Sequence, residues 1–175
     1  MDKLKDGGIR LLTLGEIELA KSVFKSTIEY NTVWIHKESY LPFNLQDEHT
    51  AMTPNGELYF RTWYRDDFSV ELPFLQHLFI HEMSHVWQRA RGMNVIGRGL
   101  VSWMVSYRYK LDGRLLSEYP IEQQAQIIAD DFTLQTVGYH KWGTLRNNGD
   151  ITLDGDISEA VIRQKYKNAL RGFPW

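Results

Sequence analysis

Phe79-Ile80-His81-Glu82-Met83-Ser84-His85-Val86-Trp87-Gln88 is an apolar, helix-compatible run that carries the pattern H-E-x-x-H. On a helix, residues four apart differ by about 40° around the axis and about 6 Å along it, so the imidazoles of His81 and His85 can reach one metal ion. Glu82 projects beside them, where a carboxylate can take a proton from water activated by that ion. Neutral imidazole suits Zn²⁺, and a catalytic zinc takes three protein ligands and keeps a fourth position for water. The pattern therefore requires a third ligand elsewhere.

Five letters arise by accident in roughly one chain in a hundred of this length and composition, so the surroundings decide their worth. These favour a helix from about Val70 to Arg91. Ser69 suits an N-cap and Glu71 the first turn, Arg89 and Arg91 suit the last turn, and Gly92 stands just beyond it. Leu72, Leu75, Phe79, Met83 and Val86 form one apolar stripe, expected to meet the core. Phe74, His77, Leu78, His81, His85 and Gln88 form another, expected to face a cleft. His77 lies one turn before His81 and reads as a satisfied buried histidine, with a group supporting the site or a substrate contact as the alternatives.

The chain has 175 residues, 43 % of them hydrophobic and 13 % aromatic, which fits one domain with a sizeable core. A formal charge of −2, with basic and acidic residues interspersed, gives no footprint for nucleic acid or an anionic membrane surface. No run of about 18 apolar residues marks a membrane span, and Met1 to Arg10 lacks the apolar centre of a signal peptide. With no cysteine, a metal site must be built from histidine and carboxylate ligands.

Upstream of the motif, Thr13-Leu14-Gly15-Glu16 has the form of a capping box and predicts a helix over about 14–26. Thr32 to His36 reads as a short strand in which His36 is a surface or supporting residue. Thr50–Thr53 and Leu58–Tyr64 flank Pro54-Asn55-Gly56, a hairpin signal. If the second of these strands is an edge above the motif helix, it can pair with an extended peptide. Downstream, 96–109 is apolar and aromatic without a decided type, and Lys110 to Ser117 reads as a loop. Pro120 opens a helix with Ile121, Ala125, Ile128 and Phe132 at helical spacing, ending near Gly138. Tyr139 to Asp154, rich in Gly and Asn, is expected to be a loop. Asp156-Ile157-Ser158-Glu159 starts a last helix that stops by Gly172.

One large metallopeptidase pattern continues H-E-x-x-H-x-x-G-x-x-H, but Gln88 and Arg91 occupy its Gly and third His positions. The third ligand must come from a later element. Glu122, in the first turn of the next clear helix and 37 residues after His85, is the preferred position. Glu118, Asp130, Asp131 and His140 are the alternatives, and acidic residues favour first turns for ordinary reasons as well. Gln126 and Asp130 share the Glu122 face and can orient a ligating histidine through its other ring nitrogen. For stabilising a tetrahedral oxyanion, His140 and Tyr139 are candidates, with Tyr107 and Tyr109.

H-E-M-S-H-V-W-Q followed by E-Q-Q-A-Q-I-I-A-D-D resembles the gluzincin-type metallopeptidase domains that form C-terminal effectors of VgrG spike proteins in type VI secretion, over about residues 75–135. The resemblance implies His81, His85 and Glu122 as zinc ligands and Glu82 as general base. It also implies a toxic peptidase acting on protein or peptide, carried by a secretion spike into a neighbouring bacterium and countered by an immunity protein. Such delivery needs no signal peptide. Many gluzincins have an acidic residue four positions after the ligand glutamate, where this chain has Gln126.

The expected fold is α+β: one compact zincin-like domain over residues 1–175, mostly helical with a small antiparallel sheet. Two other functions compete with peptide hydrolysis. One is a zinc amidase acting on cell-wall material, and the other a catalytically inert interaction domain that retains the motif.

Overall fold

A computed structural model describes residues 3–95 and 106–175. The undecided segment 96–109 therefore lies largely outside the described residues.

Ile9–Leu11 forms β1, Leu14–Phe24 α1, Trp34–Lys37 β2 and Leu58–Phe60 β3; Pro73–Ala90 forms α2. Tyr109–Lys110 is β4, Ile121–Val137 α3, Tyr139–Asn147 α4, Leu153–Asp154 β5 and Glu159–Ala169 α5. The result is a compact α+β domain, mostly helical, with one three-stranded and one two-stranded sheet.

The capping box forms as expected. Glu16 N–H donates to Thr13 Oγ1 at 3.0 Å and Thr13 N–H donates to Glu16 Oε2 at 2.9 Å. Glu16 is fully buried, because its carboxylate also accepts from the Arg10 guanidinium at 2.9 Å and from Phe68 N–H at 2.9 Å. One local capping signal thus joins β1, α1 and the turn that leads into α2. A buried carboxylate deprived of its arginine costs about 3–5 kcal/mol, which is why the pair stays intact or not at all.

The larger sheet is mixed. β1 runs antiparallel to β2, with Arg10 opposite Ile35, and β2 runs parallel to β3, with Ile35 opposite Leu58. The hairpin expected across Pro54-Asn55-Gly56 is reduced to one antiparallel bridge, Met52 to Tyr59. Gly56 supplies the turn at φ +87, but Leu58–Phe60 takes β2 as its strand partner and all three of its residues are buried. Burial in the core outweighs the local turn. His36 sits away from the motif, between Glu57 (2.8 Å) and Glu38 (3.1 Å).

The motif helix begins at Pro73 rather than near Val70, since proline fits the first helical position and Phe68–Val70 forms a separate 3-10 turn. It ends as the sequence predicts, with Arg89 in the last turn and Gly92 beyond it at φ +80. Every residue from Phe79 to Gln88 is buried. Leu75, Phe79, Met83 and Val86 enter the core, while the His81 side packs along α3. Leu72 lies outside the helix and is 63 % exposed.

α3 follows Pro120 and stops before Gly138, which takes φ +83. The following segment is not a loop throughout: 139–147 forms α4, which covers the domain with one fully buried anchor, Trp142, whose indole N–H donates to the Asp130 carbonyl at 3.1 Å. β4 and β5 pair in parallel beside it. α5 starts after Ser158 and buries Ile162, Tyr166 and Ala169.

Candidate metal centre

His81 and His85 occupy successive turns of α2, and Glu122 stands in the first turn of α3, the helix packed along it. His81 Nε2 is 3.3 Å and His85 Nε2 3.2 Å from the same oxygen, Glu122 Oε2. Atoms about 2.0–2.1 Å from a tetrahedral zinc lie about 3.3 Å apart, so both separations have the span of ligand edges. All three ligand atoms lie within 4.8 Å of one another, and all three residues are buried.

Hydrogen bonds to the far ring nitrogens decide what the near ones offer. Gln126 donates its amide to Asp130 Oδ1 (3.0 Å) and to the Asp150 carbonyl (2.7 Å), leaving its Oε1 to accept from His81 Nδ1 at 3.0 Å. Gln88 does the same for His85: its amide donates to the Ile121 carbonyl (2.8 Å) and to Gln124 Oε1 (3.1 Å), and its Oε1 accepts from His85 Nδ1 at 2.8 Å. Gln124 in turn donates to the Tyr119 carbonyl at 2.8 Å. Each imidazole thus has a proton fixed on Nδ1 and turns Nε2, the nitrogen that would ligate, toward Glu122. Two imidazole nitrogens and one carboxylate oxygen, with no further side chain in the group among the described residues, form a donor set that could hold a divalent metal ion and leave it a free position.

The electrostatics describe the same convergence. Burial pulls the His85 pKa down, but the charge and hydrogen bond of Glu122 outweigh it, and Glu82 and Gln88 add to the rise, to about 9. Burial opposes ionisation of Glu122, yet the charge of His85 and the hydrogen bonds from both imidazoles hold its carboxyl far below the usual range. A site that attracts a proton this strongly offers the same negative potential to a divalent cation.

Glu82 is buried beside the two histidines, and Thr53 Oγ1 donates to its Oε2 at 2.5 Å. Thr53 comes from the segment that bridges β3, so the loop over α2 fixes the carboxylate. No sequence signal marks a contact across 29 residues; Gln88, by contrast, sits three residues after His85 on one helix and was open to recognition.

Asp130 is fully buried and accepts from four groups: His77 Nε2 (2.7 Å), Gln126 Nε2, Tyr109 Oη (2.7 Å) and Thr152 N–H (3.2 Å). It supports His81 through Gln126, and Tyr109 is spent on it. Glu118 is exposed and caps Leu115 N–H at 2.7 Å, and Asp131 lies outside the metal group.

The structure does not bring two expected positions to the group. Tyr139 and His140 begin α4, at the opposite end of α3 from Glu122, roughly 24 Å along its axis. Tyr139 donates its hydroxyl to the Ile157 carbonyl at 2.8 Å, and His140 is exposed. The segment is helical, so it continues the scaffold instead of folding back over the histidines. Tyr107 is the aromatic residue at the centre: its ring lies 5.8 Å from that of His81, and it borders both cavities that His81 and Glu82 line. Desolvation first, then the charges of Glu122 and Glu82, raise its hydroxyl pKa, so it stays an O–H donor.

Fold and site together define an α+β domain built around a buried His–His–Glu group that could hold a metal ion. No family model matches the chain. It is 42 % identical over 174 residues to the type VI secretion system spike protein VgrG2b of Pseudomonas aeruginosa strain PAO1, an alignment that covers 94 % of this chain. It spans 15 % of the length of that relative. The solved effector domain of Pseudomonas aeruginosa VgrG2b superposes with a TM-score of 0.65 at 37 % identity, over 83 % of this chain and 84 % of that one. This chain belongs to the family of the VgrG2b effector domain.

Proposed function

We propose that this domain is a zinc-dependent peptidase that acts as the effector of a type VI secretion spike. The observation that carries the reading is the convergence of His81 Nε2, His85 Nε2 and Glu122 Oε2 beside the buried Glu82 carboxylate. His81, His85 and Glu122 would hold the ion. Zinc held there supplies Lewis acidity, which brings the pKa of water down to about 7.

Glu82 takes the proton from the attacking water and passes it to the leaving amine. Thr53 keeps one oxygen of that carboxylate occupied and so aims the other. Tyr107, as a protonated phenol at the mouth of the site, donates to the oxygen that gains charge as the amide carbonyl becomes tetrahedral. Gln126 and Gln88 hold the imidazoles in register throughout. Kinship with a spike protein's effector domain supports association with a secretion spike and delivery into a target cell.

The test is hydrolysis of casein by metal-replete protein, with purified peptidoglycan in parallel. Glu82→Ala is expected to lower casein cleavage by at least about 10²-fold while stoichiometric zinc is retained. Full activity in that variant sinks the general-base role, and cleavage of peptidoglycan alone moves the domain to the cell-wall amidases.

A further inference from the structure

Beside Glu82 the surface opens into a cleft of about 410 Å³. It runs along α2 toward that helix's N-terminus. One wall is apolar: Phe74 and Leu78, one turn apart, with Trp63 packed edge-on against Phe74 at 5.7 Å. All three are half-buried. The polar lining includes His77, on α2 between Phe74 and Leu78, and Asp150.

Asp150 is held by its main chain. Its N–H donates to the Leu145 carbonyl at 3.0 Å, and its own carbonyl accepts from Gln126 Nε2 at 2.7 Å. Its carboxylate has no hydrogen bond or ion pair among the described residues. No lysine or arginine lines the cleft among those residues, where the ionisable groups are histidines, Tyr107, Glu82 and Asp150. Burial raises the Asp150 carboxyl pKa, with His77 acting in the opposite direction, so the group is desolvated and under-compensated. A partly buried carboxylate in that condition gains from a cation brought by a ligand.

The Gln126 side chain ties the main chain at Asp150 to His81, through hydrogen bonds of 2.7 Å to the Asp150 carbonyl and 3.0 Å to His81 Nδ1, so the loop that carries the Asp150 carboxylate is anchored beside the centre. We infer that Asp150 is a specificity-determining residue that receives a cationic group of the substrate, next to an apolar side chain seated on Phe74, Leu78 and Trp63. This rests on the peptidase reading for its context, but recognition itself needs no cleavage. The shared chemistry is an alkylammonium or guanidinium, and it has two sources: a lysine or arginine side chain, or the free amino terminus of a chain.

Binding is measured by fluorescence anisotropy on zinc-replete Glu82→Gln protein, with three peptides labelled at the C-terminus. One has a blocked N-terminus and Phe beside Lys; the second replaces Lys by norleucine; the third is the norleucine peptide with a free N-terminus. The Lys peptide, the free-amine peptide or both are expected to bind about fivefold tighter than the blocked neutral one, and which of them does so identifies the source. Asp150→Asn, which keeps both main-chain hydrogen bonds, should bring the ratio to about one, and Asp150→Lys should reverse it. Equal affinity for all three peptides, no binding of any, or a ratio that survives Asp150→Asn overturns the inference. A charge preference that is intact in protein whose Glu82 parent cleaves no peptide overturns the peptidase reading alone.

Discussion

Gln126→Glu puts a carboxylate into a pocket shaped against it. The Gln126 amide accepts from His81 with one end and donates to Asp130 Oδ1, 3.0 Å away, and to the Asp150 carbonyl with the other. A glutamate keeps the first function and loses the second. Two carboxylates about 3 Å apart repel by about 5 kcal/mol at an effective dielectric of 20. The alternative is to bind a shared proton, and holding a carboxyl protonated at pH 8 against an ordinary pKa near 4.3 costs about the same. Either way the expected loss at pH 8 is about 5 kcal/mol, reduced by the charge-assisted bond His81 gains, to about 3–4 kcal/mol. For a domain of this size that lowers the melting temperature by roughly 10 °C. The sign with pH follows from a carboxyl pKa raised in the folded state. Stability is lost as pH rises through that value and returns as pH falls, at about 1.4 kcal/mol per unit for one proton. Thermal unfolding of chelator-treated protein from pH 8 to pH 5.5 is the assay, with Gln126→Leu as the uncharged control. A Gln126→Glu variant that melts with the parent at pH 8, or whose deficit does not change with pH, refutes the relay.

Gln88→Leu should weaken zinc binding about 10- to 100-fold by freeing the His85 ring, as read by competition with a chromophoric chelator. Thr53→Val removes the donor to Glu82 and should lower kcat by about tenfold with zinc content unchanged, measured on the substrate that the casein test identifies. His85 carries a proton below pH about 9 in the metal-free protein and must lose it to ligate. Zinc uptake at pH 7 should therefore release about one proton from this residue, detected by calorimetry in buffers of different ionisation enthalpy. Apparent affinity should rise from pH 6 to 9 and level off above; a flat profile contradicts the assignment.

Helical periodicity with terminal signals made the centre of the molecule legible. His81 and His85 followed from their spacing, Gly92 and Gly138 marked two helix ends, and Glu122 stood out by opening the helix after Pro120. Contacts between distant segments were not legible. Thr53 reaches Glu82 and Tyr109 reaches Asp130 only because β3 and β4 are placed by core burial, which no local pattern records. The same cause demoted the Pro54-Asn55-Gly56 hairpin, where Leu58 found a better partner in Ile35. Residues 139–147 misled for the opposite reason. Their composition is loop-like and their helix has a single buried residue, so its stability is borrowed from Trp142 packing on α3.

The donor set of the metal group consists of imidazole nitrogen and carboxylate oxygen, in a chain without cysteine. Thiolate zinc sites empty when their sulfurs are oxidised, and thiol-built folds change with the redox state of their compartment. Neither vulnerability exists here. Metal binding by such a donor set is indifferent to the redox state of the surroundings and answers to protons, chelators and free metal instead.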